Sequence, residues 1–281
     1  MPTTVKEIMI KNPVTMNVPG TRTDLIKKMF KHNITGLPIT KNTGEYLGMI
    51  SRRDIFENPK TEQLALLIRH IIEPITSDTP IREAAKEMIN KQRRHLPVLD
   101  KNKKVVGLVT PIEFMKAVAK KKLDIPVENY MHYPCLPIHT KTPIKIVFKA
   151  ISLTKLNAFP VLNDEAKLVG LVTDRDIFKI SNVDKSTAIL NLGISSDEDA
   201  WSWDSVDNMM KLAYVVSNLE LPHVLVEDVM IKDPKTLFSK TSISEAAEIM
   251  TKGIFSQLPL RGTHDELKAM LYEFDVIHAL V

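Results

Sequence analysis

A hydroxyl residue stands three positions before an acidic residue at several points of the chain, each time after a short apolar run. A carboxylate accepts two hydrogen bonds from a ribose diol, and a hydroxyl at a helix N-terminus favours phosphate. The same spacing is that of a capping box, in which the acid reaches back to the N-cap backbone. The residue types therefore support two interpretations, nucleotide recognition and helix capping. The pairs are Ser51 and Asp54, Thr110 and Glu113, and Thr173 and Asp176, with a fourth acid, Asp275, after Tyr272.

Each acid ends a longer phrase that occurs four times. An apolar-Pro-apolar strand is followed by a turn, a second apolar strand and the acid, and sixteen residues separate proline and acid in every copy. A methionine stands 29 residues before the proline in three copies, and Ile68 takes that place in the second copy. Two fixed intervals in four copies indicate a true internal repeat. The prolines are Pro38, Pro97, Pro160 and Pro259, and the methionines are Met9, Met131 and Met230.

The segments between these landmarks predict the elements that position the acids. Apolar residues at helical spacing predict a helix from Ile81, with Thr79 as its N-cap, and Ser242 with Glu245 predicts a capping box in the fourth copy. The nearly all-apolar run Val105–Val109 predicts a strand covered on both faces. Each repeat is therefore β-α-β-β-α, a mixed α/β (α+β) unit. Units of this size bury too little surface alone, so neighbours are expected to pair.

Composition excludes several classes of protein. The 281 residues suit about two domains, and 44% hydrophobic with 26% charged residues is typical of a soluble globular chain. Nine scattered glycines, a single cysteine (Cys135) and histidines without metal-ligand spacing offer no phosphate loop, disulfide framework or metal site. We therefore expect a cytoplasmic protein that is not an enzyme and that has no metal, catalytic cofactor or membrane span.

The net charge of +4 conceals an asymmetry. Residues 1–122 carry 23 Lys/Arg and 12 Asp/Glu, a balance of +11, whereas residues 123–281 carry 15 and 22, a balance of −7. A basic half suggests an anionic ligand or nucleic acid, and opposite signs also suit docking between modules or chains.

The repeated phrase, Gly-apolar-apolar-apolar-Ser/Thr-x-x-Asp after a Leu-Pro-Val-like strand, resembles the CBS motif. Four copies resemble two CBS pairs, as in archaeal stand-alone CBS proteins and the regulatory gamma subunit of AMP-activated kinase. The expected pairs are residues 1–122 (repeats 5–58 and 64–120) and 123–281 (repeats 125–182 and 224–281), with a helical insertion at 183–223. The resemblance implies a regulatory sensor that binds adenosine-containing ligands in clefts between paired repeats.

In this family, one ligand contacts the acid-bearing phrase of one repeat and the first strand and pre-proline residues of its partner. The resemblance favours ligand binding over capping at Asp54 and Asp176. In the Asp54 cleft, the phosphate is expected where Arg52, Arg53, Arg94 and His95 converge, so the more phosphorylated ligand is expected there. The residues implied for this cleft are Ser51, Arg52, Arg53, Asp54, Ile68, Glu73, Arg93, Arg94 and His95.

The other clefts follow by the same correspondence. The Asp176 cleft takes Thr173, Asp174, Arg175 and Asp176 with Met230, Lys235, Phe255, Ser256 and Gln257. The Glu113 cleft takes Met9, Val14, Ile34 and Thr35 with Thr110 and Glu113, and the longer acid favours capping there. The Asp275 cleft takes Met131, Leu136, Leu156 and Asn157; Tyr272 is expected to fill it, and Asn157 suits a less charged ligand.

The expected ligand is AMP, ADP or ATP, with S-adenosylmethionine and NAD as alternatives, in an energy-sensing homodimer acting on a protein target. Two other functions stay open. One is nucleic-acid binding by the basic half, and the other is a structural scaffold in which the acids are only helix caps.

Overall fold

The computed structural model describes residues 3–32, 34–51, 54–55, 58, 61–69, 74–154, 156–173, 176 and 223–281. In these residues, four small sheets and their helices repeat the predicted order, which confirms the mixed α/β fold of four repeats in two pairs. The insertion expected at 183–223 lies outside the described residues, apart from its last position.

The first pair contains seven strands and four helices among its described residues, together with a 3-10 helix at Val5–Glu7. Repeat one has β1 (Ile10–Lys11), β2 (Met16–Asn17), α1 (Arg22–Lys31), β3 (Gly36–Thr40) and β4 (Tyr46–Ser51). Repeat two has α2 (Leu64–Leu67), β5 (Ile75–Thr76), α3 (Ile81–Asn90), β6 (Leu96–Leu99), β7 (Val105–Val109) and α4 (Pro111–Lys121).

The second pair follows the same plan, with 3-10 helices at Val127–Tyr130 and His278–Leu280. Repeat three has β8 (Ile138–His139), α5 (Ile144–Thr154), β9 (Ala158–Leu162) and β10 (Leu168–Thr173). Repeat four has α6 (Val226–Val229), β11 (Ile231–Lys232), β12 (Leu237–Phe238), α7 (Ile243–Gly253), β13 (Gln257–Arg261), β14 (Leu267–Tyr272) and α8 (Glu273–Ile277).

The repeats of a pair exchange their first strands. β1 of repeat one adds to the sheet of repeat two, giving the order β1-β7-β6-β5, and β11 of repeat four adds to that of repeat three, giving β11-β10-β9-β8. In return, Met49 and Arg69 pair backbone to backbone, so the chain entering repeat two lies along β4. This exchange brings each partner's first strand against the acid-bearing phrase.

The two helix starts predicted from caps have different outcomes. The Ser242 N-cap is confirmed, because its hydroxyl accepts a hydrogen bond from the Glu245 amide at 3.2 Å at the start of α7. Among the described residues, the Glu245 side chain does not complete the predicted capping box. The Thr79 cap is wrong by one residue: Pro80 occupies the N-cap position of α3. Proline has its dihedral fixed near helical values but no amide hydrogen, so it starts this helix without a side-chain cap.

The pairs meet through repeats two and four. One hydrophobic cluster contains the inner faces of α3, α4, α7 and α8 together, while repeats one and three have separate cores. The Ser244 hydroxyl, buried in this contact, donates to the Val118 carbonyl and accepts from the Leu123 amide, both at 2.8 Å. The core is therefore continuous from one pair to the other.

Candidate ligand-binding clefts

The hydroxyl-to-acid phrase has the same local geometry in three repeats. One oxygen of each acid accepts hydrogen bonds from the amide and the hydroxyl of the residue at the helix start. The distances are 2.7 and 2.6 Å from Ser51 to Asp54, 3.0 and 2.5 Å from Thr110 to Glu113, and 3.0 and 2.6 Å from Thr173 to Asp176. All three acids are buried. Since capping uses one oxygen, the surroundings of the second oxygen decide whether the acid is available to a ligand.

At Asp54, an arginine from the partner repeat occupies the second oxygen. Arg69 Nε forms an ion pair with Asp54 Oδ1, and the Arg69 backbone pairs with Met49 on β4. Sequence reasoning did not single out Arg69, although it follows Ile68, which aligns with the methionine of the other repeats. A ligand diol at Asp54 would therefore compete with a guanidinium.

At Asp275, two backbone amides occupy both oxygens. The Tyr272 amide donates to one oxygen and the His132 amide to the other, each at 2.8 Å. The Asp275 side chain is completely buried, and this desolvation raises the pKa of its carboxyl to about 6. His132 also stacks on His278 with ring centroids 3.8 Å apart. Like Arg69, His132 directly follows the residue at the methionine position.

Aromatic rings fill the space beside Asp275. Tyr133 packs edge-on against Tyr272 with centroids 5.8 Å apart, and it also lies against Phe274. The Tyr272 hydroxyl is buried without a hydrogen-bond partner among the described residues, and burial raises its pKa. This packing agrees with the interpretation that Tyr272 fills the fourth cleft.

In the Glu113 and Asp176 clefts, the partner-repeat residue that corresponds to Arg69 and His132 is an isoleucine. Ile10 and Ile231 are 43% and 45% exposed. Among the described residues, no basic side chain contacts Asp176, and Glu113 Oε1 lies 3.8 Å from Lys116 Nζ. These two clefts combine a buried acid with an exposed apolar side chain from the partner repeat.

The exchanged strands lie directly over the glycines of the phrase. A methyl group added at Gly107 would lie 2.4 Å from the Met9 sulfur, and one at Gly170 would lie 2.4 Å from the Met230 sulfur. At Gly48, the nearest atom is Cγ2 of Ile68, also at 2.4 Å. The structure thus brings the predicted residue at the methionine position to its phrase in three of the four clefts.

The pre-proline residues of the first pair meet each other and the second pair. Thr35 Oγ1 and His95 Nε2 lie 3.1 Å apart, which joins repeats one and two. The Arg94 guanidinium forms two contacts of 2.9 Å with the Glu273 carboxylate and one of 3.1 Å with Ser256 Oγ. Arg94 is therefore engaged with repeat four, and the phosphate role implied for it at the Asp54 cleft stays a prediction.

The remaining predicted residues fall into four groups. Partly buried side chains that pack against the cores are Val14, Ile34, Met131, Leu156 and Phe255. Arg93, Asn157 and Gln257 are partly buried, whereas Lys235 and Leu136 are exposed. Arg52, Arg53, Glu73, Asp174 and Arg175 lie outside the described residues.

A cavity of about 550 Å³ adjoins Glu113. This size lies within the range of about 300–1,000 Å³ typical of small-molecule sites. Its wall includes Met9, as predicted for this cleft, but also groups that sequence reasoning did not assign. The lining residues are Glu7, Ile8, Met9, Ile10, Glu113, Lys116, Ala117 and Lys120.

Two further findings concern the described part of the chain only. No cluster of three or more His, Cys, Asp or Glu side chains there is arranged to hold a metal ion. None of the helices in these ranges has the length and apolarity needed to cross a bilayer.

Cys135 is a free thiol whose pKa is raised to about 11 by burial, so it is a packed, unreactive group.

Comparison with known proteins identifies the repeats. The model of the CBS domain matches residues 5–60, 67–120, 127–182 and 226–281. Two solved structures have a similar fold. A conserved protein from Pyrococcus horikoshii matches with a TM-score of 0.70 and 23% sequence identity, and a protein from Methanocaldococcus jannaschii matches with a TM-score of 0.72 and 18% sequence identity. Each match covers 99% of this chain and the whole of the other chain.

A curated relative is similar over part of its length. The L-aspartate semialdehyde sulfurtransferase of Methanocaldococcus jannaschii is 33% identical over 128 residues, which is 44% of this chain. The matching region spans only 25% of that enzyme.

Proposed function

The chain belongs to the CBS-domain family, and from that premise we propose that it is a regulatory protein that binds adenosine-containing ligands between paired repeats. The observation that carries this proposal is the Asp176 cleft. There a buried carboxylate at a helix start has one oxygen in the cap, and among the described residues no cation engages it. The exposed Ile231 of the partner repeat provides an apolar surface for a base.

The four clefts are proposed to differ in availability. The Asp176 and Glu113 clefts are the ligand sites, because among the described residues no arginine or amide of the partner repeat engages their acids. At Asp54, a ligand would have to displace Arg69, and at Asp275 it would have to displace the His132 amide. AMP, ADP and ATP are the leading ligands, and S-adenosylmethionine and NAD are the alternatives.

The proposed mechanism is a ligand-linked change in the packing of the pairs. A ligand shifts an equilibrium between two arrangements only by its difference in affinity for them. Each cleft is formed by two repeats, so a ligand there stabilises their association, and the common core of repeats two and four transmits this to the other pair. Binding of AMP and ATP in one cleft would make the protein an energy sensor. We also propose that it is a cytoplasmic homodimer that acts on a protein target.

Calorimetric titration with AMP, ADP, ATP, NAD and S-adenosylmethionine tests this function. We expect at least one ligand to bind, and Asp176→Ala to weaken it at least tenfold. Asp124→Ala is the matched control, because Asp124 is exposed and its side chain makes no hydrogen bond or ion pair within the described ranges. Asp54→Ala is expected to have the smaller effect. Absence of binding by all five ligands would overturn the proposal.

Nucleic-acid binding by the basic half remains the alternative function. The same protein titrated with duplex DNA at two salt concentrations distinguishes it, because phosphate contacts make binding steeply salt-dependent. Strong, salt-sensitive DNA binding without nucleotide binding would favour the alternative.

A further inference from the structure

The cavity beside Glu113 has charged groups that the family correspondence does not assign. Its apolar wall is the segment Ile8–Ile10, and its floor is one face of α4. Along that face, Lys116 and Lys120 follow Glu113 at three and seven positions. A helix rises about 1.5 Å per residue, so the lysines lie about 4.5 and 10 Å beyond the acid along the axis.

Both lysines are available to an anion. The Lys116 side chain is 59% exposed, and its contact with Glu113 is long, at 3.8 Å. Lys120 is exposed, and its side chain has no partner among the described residues. Two ammonium groups one turn apart attract a dianion more strongly than either does alone.

The other acid of the cavity, Glu7, is ionised and offsets part of the lysine charge, but the backbone holds one of its oxygens. Glu7 Oε1 accepts hydrogen bonds from the amides of Thr3 at 2.8 Å and Thr4 at 3.0 Å. These bonds lower the pKa of the Glu7 carboxyl to about 2. Glu7 thus fixes the start of the chain against the cavity, and one of its oxygens is already occupied.

The described arginines expected to bind phosphate in the first pair are otherwise engaged, apart from Arg93. Arg94 pairs with Glu273. Arg69, which the sequence did not assign to phosphate, pairs with Asp54. The cationic groups that line a cavity large enough for a nucleotide are instead the two lysines of α4. The basic charge of the first pair is therefore usable at Glu113.

We infer that the Glu113 cavity selects phosphorylated nucleosides over uncharged ones, with Lys116 and Lys120 binding the phosphate group. This inference rests on the proposed function and assigns the phosphorylated ligand within the first pair to the Glu113 cleft instead of the Asp54 cleft. The base lies against Ile8–Ile10, and the second oxygen of Glu113 accepts from the sugar.

The test compares AMP with adenosine by calorimetry in the Asp176→Asn protein, in which the Glu113 cavity is the principal remaining site. In that background, Lys116→Ala/Lys120→Ala is expected to weaken AMP binding at least tenfold and to change adenosine binding less than twofold. Lys86→Ala is the control, because Lys86 is exposed on α3 and its side chain makes no hydrogen bond or ion pair within the described ranges. Raising the salt concentration should weaken AMP binding but not adenosine binding.

The outcomes separate this inference from the proposed function. An unchanged ratio of AMP to adenosine affinity in the double variant overturns the inference, and so does loss of all AMP binding in Asp176→Asn alone. Failure of the unsubstituted protein to bind any adenosine ligand overturns the proposed function itself. Thermal melting of each variant without ligand verifies that it is folded.

Discussion

The second oxygen of each buried acid distinguishes the four clefts at the scale of single residues. The first oxygen is used identically in repeats one, two and three, as a cap. Arg69 engages the second oxygen of Asp54, and the His132 amide engages that of Asp275. A carboxylate that already has its partners gains little from a ligand diol, because binding then exchanges one set of hydrogen bonds for another.

Asp275 gives a prediction about pH. Burial raises its pKa in the folded state to about 6 from an ordinary value of 3.8, and burial also lowers the pKa of the neighbouring His278. Between pH 3.8 and about pH 6, the folded state holds a proton on Asp275 that the unfolded state has lost. The contribution of Asp275 to stability is therefore greatest below pH 4 and is lost as the pH rises to about 6.

We expect Asp275→Asn to remove this dependence. Relative to the unsubstituted protein, the variant should gain about 2 kcal/mol between pH 4.5 and pH 7. Urea unfolding at the two pH values measures the difference, and Asp124→Asn, at an exposed site, should show none. The assignment to Asp275 is contradicted if the two variants have the same pH profile.

At the scale of elements, the exchanged strand and the glycine of the phrase determine how closely the repeats pair. Gly170 on β10 lies under Met230, which precedes β11, and Gly107 on β7 lies under Met9, which precedes β1. A side chain at either glycine would occupy the space of the methionine. The glycines are thus needed for close approach between repeats and not for an unusual backbone conformation.

Gly170→Ala is expected to destabilise the second pair. Inserting a methyl group into a packed contact costs about 1–3 kcal/mol. Adding Met230→Ala should relieve the clash, so the double variant should lose less stability than the sum of the two single variants. Thermal and urea unfolding of the four proteins measures this coupling. Strict additivity would show that the two residues do not compete for space.

At the scale of the whole molecule, the two pairs repeat the same contacts. The Val5 amide donates to the Thr79 carbonyl, and the Val127 amide donates to the Thr241 carbonyl, each at 2.9 Å. Between the pairs, Glu273 is almost fully buried, and desolvation raises the pKa of its carboxyl despite the opposing effect of Arg94. The Arg94–Glu273 ion pair therefore compensates a buried charge at the contact between repeats two and four.

Arg94→Ala is expected to lower the free energy of unfolding by about 1–3 kcal/mol at pH 7, because it leaves the Glu273 charge buried without its partner. Glu273→Gln in the Arg94→Ala background should restore part of this loss by removing the charge. Lys252→Ala breaks the exposed Lys252–Glu248 pair and should change the free energy of unfolding far less, because water screens that pair. If Arg94→Ala and Lys252→Ala lower the free energy of unfolding equally, the Arg94–Glu273 pair stabilises the protein no more than an exposed ion pair does.

Local pattern in the sequence determined the repeats, their pairing and most of the elements. Fixed intervals between proline, methionine and acid are properties of the chain order, and the Ser242 cap depends on residues only three positions apart. Helix capping follows from such short-range signals, and together with the repeat it made the four-repeat fold predictable. Strand exchange pairs residues as far apart as Ile10 and Leu108 and was implied by the family resemblance.

Only the tertiary structure decided which acid is available and where the cations of the first pair lie. Fifteen positions separate Asp54 from Arg69, 143 separate His132 from Asp275, and 179 separate Arg94 from Glu273. Such contacts depend on how whole repeats pack, and an ion pair or amide donor at that distance has no local pattern. For this reason the family resemblance favoured Asp54 and Asp176 alike, whereas packing engages the second oxygens of Asp54 and Asp275 and, among the described residues, leaves that of Asp176 without a partner.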